Sequence, residues 1–345
     1  MIEARKEGVT GRITLERPEA LNALTWEGVL AIDAALKDWA TDPEVTLLII
    51  DATGEKAFCA GGDIAEMYAN GTRGDYDYGR RFWADEYAMN ARLFRFPKPV
   101  VTLMQGFTMG GGVGVGCHGS HRVVGESSRI AMPECGIGLV PDVGGSLLLA
   151  RAPGKLGEYL GTTGARMGPG DAIHAGFADY YLPEEDWDAL KAHLVETGDW
   201  TQVDRMAHVA PESPLAAAQG EIDGIWGGAR LGDIYRAMPR SPSEIVAKGR
   251  ALMDANSPLS MAVAVEIIQR ARLTDRIEAA LEQEYRFTAR AMEHGDFLEG
   301  IRAAIIDRDK APKWRHESWQ DVTSGDVLRM TLPLPEGGLE LEDEA

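Results

Sequence analysis

KPVVTLMQGFTMGGGVGVGCHG, residues 98–119, joins two signals on which the fold turns. KPVVTLMQG (98–106) is a continuous apolar, β-branched run, the pattern of a strand buried on both faces. FTMGGGVGVG (107–116) follows with no charge at all. It reads as a loop entering a tightly packed helix, because glycine lets backbones approach closely. These glycines do not form a dinucleotide fingerprint, since no acidic residue closes a following strand at the expected distance. Nor are they a P-loop, because no Lys-Ser or Lys-Thr follows. Two uses remain. One is close helix packing. The other is a helix start whose N–H receives an oxygen that becomes negative. CAGGD (59–63) offers a second such turn, where Gly62 could present its N–H. Two glycine turns, each behind a buried strand, are what a two-donor oxyanion hole requires.

Working outward, GRITLER (11–17) alternates apolar and polar residues and ends before Pro18, as a strand should. TWEGVLAIDAALKDWA (25–40) starts at a candidate cap, Thr25, and spaces Val29, Ile32, Leu36 and Trp39 as one helix face. VTLLIID (45–51) is another buried strand, and AFCAGGDIAEMY (57–68) is a glycine turn into a helix. HRVVGE (121–126) and RIAM (129–132) are short strands. This succession over residues 10–150 predicts an α/β fold of repeated β/α turns, rather than a single doubly wound sheet. From about residue 184 the patterns turn helical: EEDWDALKAHLVE, SPSEIVAKGRALMDA, PLSMAVAVEIIQRAR and RIEAALEQEYRFTARAMEHG. The expected organisation is a mixed core over 1–200, a C-terminal helical region over 201–335, and an acidic tail, EGGLELEDEA (336–345), expected to be disordered.

Composition narrows the function. With 345 residues, 45% of them hydrophobic, the chain can bury a full core. A formal net charge of −19 argues against nucleic acid or an anionic membrane surface as a main partner. Cys59, Cys117 and Cys135 are odd in number and lack metal-type spacing, which suits buried thiols in a reducing compartment. The N-terminal stretch has no apolar core of a signal peptide, and no run reaches transmembrane length. The expectation is a soluble, cytoplasmic protein.

AMPECGIGLVPDVGG (131–145) places Glu134 and Asp142 eight positions apart in an otherwise uncharged, glycine-rich run. Each follows a proline, so both could be helix N-caps, a role worth about 1 kcal/mol. Their shared apolar setting suggests instead carboxyl groups whose pKa rises on desolvation, which suits proton traffic near neutral pH. Other signals are weaker. His118 and His121 have no further ligand at metal spacing, so no metal site is expected. Ser120 and Ser146 lack a nucleophile-elbow context. Cys59 shows no basic partner and reads as a buried small residue.

RPEALNAL, AFCAGGDI, KPVVTLMQGFTMGGGVGV and MPECGIGLVPDVGG stand in the order and spacing of the enoyl-CoA hydratase/isomerase (crotonase) superfamily. With NSPLSMAVAVEII, EYRFTARAM and DFLEGIRAAIIDRDKAPKW, the chain resembles the 3-hydroxyisobutyryl-CoA hydrolase branch over roughly residues 8–335. The resemblance implies a spiral of ββα turns with an additional C-terminal helical region. It also implies an acyl-CoA substrate whose thioester oxygen sits between the N–H groups of Gly62 and Gly111. Similar hydratases use two glutamates. Here Gly114 occupies the first position, Glu134 keeps the second, and Asp142 stands where a hydratase typically has glycine. By that resemblance Glu134 and Asp142 are catalytic, and Glu86 of ADEYAMN lies near the acyl end of the substrate, although a helix-surface Glu would explain it as well. The implied reaction is hydrolysis of 3-hydroxyisobutyryl-CoA in valine breakdown. Coenzyme A enters as part of the substrate, and no separate cofactor or metal is called for. Homo-oligomers are common in the superfamily, while the longer helical end of this branch could cover the surface they use. Two rival readings are a hydratase or isomerase of the same superfamily and a non-catalytic assembly subunit that keeps the fold.

Overall fold

The computed structural model describes residues 1–335 and 337–341. Among the described residues nine strands carry the α/β part: β1 (Ile2–Glu7), β2 (Thr10–Leu15), β3 (Leu47–Ala52), β4 (Ala57–Cys59), β5 (Val100–Met104), β6 (Phe107–Met109), β7 (His121–Val124), β8 (Arg129–Ala131) and β9 (Tyr180–Tyr181). They form a six-stranded sheet, β1-β2-β3-β5-β7-β9, and a three-stranded sheet, β4-β6-β8. Only β1 and β2 pair antiparallel, and the remaining pairs are parallel. Three times in succession a strand of the large sheet is followed within a few residues by one of the small sheet: β3 by β4, β5 by β6, β7 by β8. Helices return the chain between these pairs. That is the spiral of ββα turns the sequence implied.

β3 and β5 are fully buried apart from Ala52, as their continuous apolar runs require. The core around the large sheet combines Leu47, Ile49, Val101, Leu103 and Val123 with Leu182, Trp187, Leu190 and Leu194. Thr25 caps the Trp26–Ala40 helix, its hydroxyl accepting from the Gly28 N–H at 3.1 Å. One expectation needs correction. FTM (107–109), read as part of a loop, is strand β6, held by β4 on one side and β8 on the other.

Contacts sort the chain into two compact units whose segments alternate along it. The first comprises Met1–Gly62, Ala88–Ala131 and Arg166–Pro214; the second Asp63–Tyr87, Met132–Ala165 and Leu215–Ala345. Contact and chain order thus divide the molecule differently, because residues 63–87 and 132–165 pack with the late helices. Both sheets lie in the first unit. The second is helical, with long helices at Pro258–Thr274 and Ile277–His294. Within it, buried Glu158 is satisfied by a two-pronged pairing with Arg272, both bonds 2.8 Å. Among the described residues no single helix is long and apolar enough to cross a membrane. Of the acidic tail expected over 336–345, residues 336 and 342–345 lie outside the described residues, and 337–341 carry neither helix nor strand.

Candidate active site

In the second unit, the segment after Pro133 turns twice, and each turn carries a carboxyl group. Glu134 opens a short 3-10 turn, Glu134–Ile137, which ends at Gly138 with φ of 73°. A Cβ at Gly138 would lie 2.5 Å from the backbone of Asp296, so glycine is required there for space as well as conformation. Asp142 follows Pro141 and accepts through its carbonyl from the Gly145 N–H at 2.6 Å. Between them Val143 and Gly144 take φ of 54° and 79°. A left-handed, β-branched residue is strained by roughly 1–3 kcal/mol.

Neither carboxylate is a helix cap. Glu134 is the first residue of its turn, and the cap position belongs to Pro133. At the start of the Gly145–Arg151 helix the acceptor is Glu284, which takes the Gly144 N–H at 2.8 Å and the Ser146 N–H at 3.0 Å. Asp142 is instead held from another helix: the Tyr87 hydroxyl donates to its Oδ2 at 2.7 Å. Thr288 Oγ1 lies 3.4 Å from the same hydroxyl. Glu86, next to Tyr87 on the Tyr76–Phe94 helix, is not the surface residue its charge suggested. It is 3% exposed, beside 4% for Glu134 and Asp142 and 0% for Glu284.

Burial of four carboxyl groups in one region dominates their electrostatics. Desolvation raises all four, and the charge of Asp142 raises Glu86, Glu134 and Glu284 further. Asp142 itself is pushed up to about 7, against the pull of the Tyr87 hydrogen bond. Glu284 is pushed up to about 8, against its hydrogen bonds from Ser146 and Gly144. Groups this close titrate as a set. Raised carboxyl groups keep their protons to higher pH than exposed ones, which suits proton transfer near neutrality. Glu86 Oε1 and Glu134 Oε2 are buried with no hydrogen-bond partner. An unsatisfied buried polar atom costs about 1–3 kcal/mol, and a ligand atom would recover it.

Gly62 and Gly111 belong to the first unit. β4 runs into the turn that carries Gly62, and β6 into the turn that carries Gly111. Because β4 and β6 are parallel neighbours, both turns leave the small sheet from the same end. Gly61 (φ 113°) shapes the first turn and Gly110 (φ 51°) the second. Gly111 is the first residue of the Gly111–Gly116 helix, so its N–H has no acceptor within that helix. The packing use of these glycines is also realised. A Cβ at Gly112 would lie 2.2 Å from the Cys59 carbonyl oxygen, and one at Gly116 would lie 2.6 Å from Met104 Sδ.

The structure thus brings Glu86, Glu134 and Asp142 together in one unit and pairs the Gly62 and Gly111 turns in the other. Sequence reading missed Tyr87, Glu284 and Thr288. A signal existed for Glu284: it stands in the buried stripe Ile277, Ala280, Leu281, Phe287, Thr288, Ala291, where an apolar residue is the rule. Among the weaker candidates, Ser146 is tied to Glu284. His121 stacks on Tyr180 with ring centroids 6.0 Å apart. Cys59, Cys117 and Cys135 are buried thiols. Among the described residues no three His, Cys, Asp or Glu side chains are placed to share a metal ion.

The enoyl-CoA hydratase/isomerase family model matches residues 10–331. The chain belongs to that family. Relatives with the enoyl-CoA hydratase/isomerase fold carry different activity names. The crystal structure of an enoyl-CoA hydratase from Rhodobacter sphaeroides 2.4.1 shares 53% identity and a TM-score of 0.95, covering 99% of both chains. That of a carnitinyl-CoA dehydratase from Mycobacterium thermoresistibile shares 38% and 0.94, again over 99% of both. By contrast, the mitochondrial 3-hydroxyisobutyryl-CoA hydrolase of Danio rerio is 36% identical over 97% of this chain and 90% of its own length. The Homo sapiens protein of the same name is 35% identical over 93% and 86%.

Proposed function

We propose that the chain hydrolyses the thioester of a short 3-hydroxyacyl-CoA, foremost 3-hydroxyisobutyryl-CoA, to the free hydroxy acid and CoA, a step of valine breakdown. One observation carries this reading: the carboxyl groups are gathered around Glu134 and Asp142, while the Gly111–Gly116 helix carries none. Hydrating a double bond needs an acid and a base flanking the alkene, and Gly114 can be neither. The names of the relatives 35–36% identical to this chain support hydrolysis. The names of the two solved relatives, an enoyl-CoA hydratase and a carnitinyl-CoA dehydratase, favour a hydratase as the second reading.

In the proposed reaction the N–H groups of Gly62 and Gly111 take the thioester oxygen as it becomes an oxyanion, each donor worth about 10²–10³ in rate. Glu134 has an oxygen without a partner. It either attacks the carbonyl carbon, giving a mixed anhydride that water opens, or removes a proton from the attacking water. In both routes the C–S bond breaks and the departing thiolate takes a proton from the carboxyl set. Asp142, fixed by Tyr87, orients the attacking group or the substrate hydroxyl, and Glu86 lies toward the acyl end. No separate cofactor is required. One methyl group changes selectivity by only about 1–3 kcal/mol in an apolar pocket, so 3-hydroxypropionyl-CoA is expected to react too. The buried thiols suit the cytoplasm, and would suit a mitochondrial matrix equally.

The test is Glu134→Gln. Turnover should fall at least about 10²-fold while a non-hydrolysable substrate analogue still binds. A folded variant with wild-type turnover would overturn the assignment.

A further inference from the structure

We infer that Glu284 is a positioning residue for this reaction, locking from a distant helix the turn that carries Asp142. The inference rests on the catalytic role proposed above for Asp142. The turn itself is poorly secured by its own side chains. Val143 and Gly144 are both left-handed, and the residue at the N-cap position of the following helix is Gly144, which has no side chain to cap it. The Asp142 carboxylate is engaged by Tyr87.

Glu284 supplies what is missing. Its Oε2 accepts the Gly144 N–H at 2.8 Å, and its Oε1 accepts the Ser146 N–H at 3.0 Å together with the Ser146 hydroxyl. One carboxylate therefore brackets the helix start with both oxygens. This is the work of an N-cap, supplied by a residue 140 positions along the chain. The same helix acts on Asp142 by a second route. One turn on, Thr288 lies beside the Tyr87 hydroxyl, and the Tyr285 ring meets the Tyr87 ring edge-on with centroids 6.2 Å apart. Backbone and side chain of the Asp142 turn are thus both referred to the Ile277–His294 helix.

Gly144 is left-handed, φ 79°, so Ser, Asp or Asn there would not hold the extended backbone from which those residues cap, and the cap comes from Glu284 instead. What the distant carboxylate adds is a fixed position for the turn relative to the Tyr87 side. A displacement of about 1 Å at a reacting group is enough to cost about 10²-fold in rate.

The experiment is a kinetic cycle with Glu284→Gln, Asp142→Asn and the double variant, assaying thiol release from 3-hydroxyisobutyryl-CoA. The Gln amide can accept on one side only and turns an N–H toward the other donor. We expect kcat to fall about 10-fold or more, with KM changed less than about 3-fold. In the Asp142→Asn background, Glu284→Gln should add less than about 3-fold, since it acts through Asp142. Ser146→Ala removes one donor without touching a charge, and should lower kcat about 3-fold with KM unchanged. It decides the matter if Glu284→Gln fails to fold. Wild-type kcat in the folded Glu284 variant, or in Ser146→Ala where that variant does not fold, overturns the inference. So do losses that simply multiply in the double variant. Wild-type turnover in Asp142→Asn would remove the catalytic role on which the inference stands. A crippled Asp142→Asn beside a fully active Glu284→Gln sinks this inference alone.

Discussion

Asp142 has an ordinary pKa of 3.8 and is raised to about 7 in the folded protein, because burial penalises its charge more than the Tyr87 hydrogen bond favours it. Between those pH values the folded state holds a proton that the unfolded chain has released. Unfolding therefore becomes more favourable as pH rises across this window, and the loss levels off above about 7. Glu284 acts in the same direction between 4.5 and about 8. Residues that lower stability near neutral pH are expected where function requires them. Asp142→Asn keeps an acceptor for Tyr87 but cannot ionise. Its melting temperature should exceed that of the wild type at pH 8 by at least about 2–4 °C, the equivalent of 1 kcal/mol, and the gap should close toward pH 4. Calorimetry at the two pH values checks this. A variant less stable than the wild type by the same margin at both would make Asp142 a structural anchor.

The Gly111–Gly116 helix is set by how closely it meets β4. A methyl group at Gly112 would meet the Cys59 carbonyl oxygen at 2.2 Å, and backbone cannot yield as a flexible side-chain end can. Gly220 lies in the Gln219–Trp226 helix with nothing within 4 Å of its would-be Cβ. Gly112→Ala should therefore lower the melting temperature by several degrees or prevent accumulation, while Gly220→Ala should raise stability by about 0.5–1 kcal/mol. Parallel thermal melts separate the two, and equal effects would mean that the close approach is not what fixes glycine at 112. Elements like these also show what the sequence reveals. β3, β5 and the Thr25-capped helix were legible because burial, period and cap agree within each segment. β6 was not, since three residues carry no period and its pairing comes from β4 and β8. At the site, Glu134 and Asp142 stood out as lone charges in an apolar run. Tyr87 and Glu284 lie in helices with many polar residues, where only their place in a buried stripe distinguishes them.

Across the whole molecule, chain order hides the carboxyl set. Its members, Glu86, Glu134, Asp142 and Glu284, share the second unit only because segments alternate between units along the chain. No local pattern announces a partnership between Asp142 and Glu284, so their assembly had to come from the fold. The activity of the intact chain is where the relatives' names diverge. The most direct measurement gives the purified chain 3-hydroxyisobutyryl-CoA and crotonyl-CoA in parallel, following thiol release and loss of the conjugated double bond together. The account predicts rapid thiol release from the first and little hydration of the second. Rapid hydration of crotonyl-CoA, with no thiol released from either substrate, would contradict it.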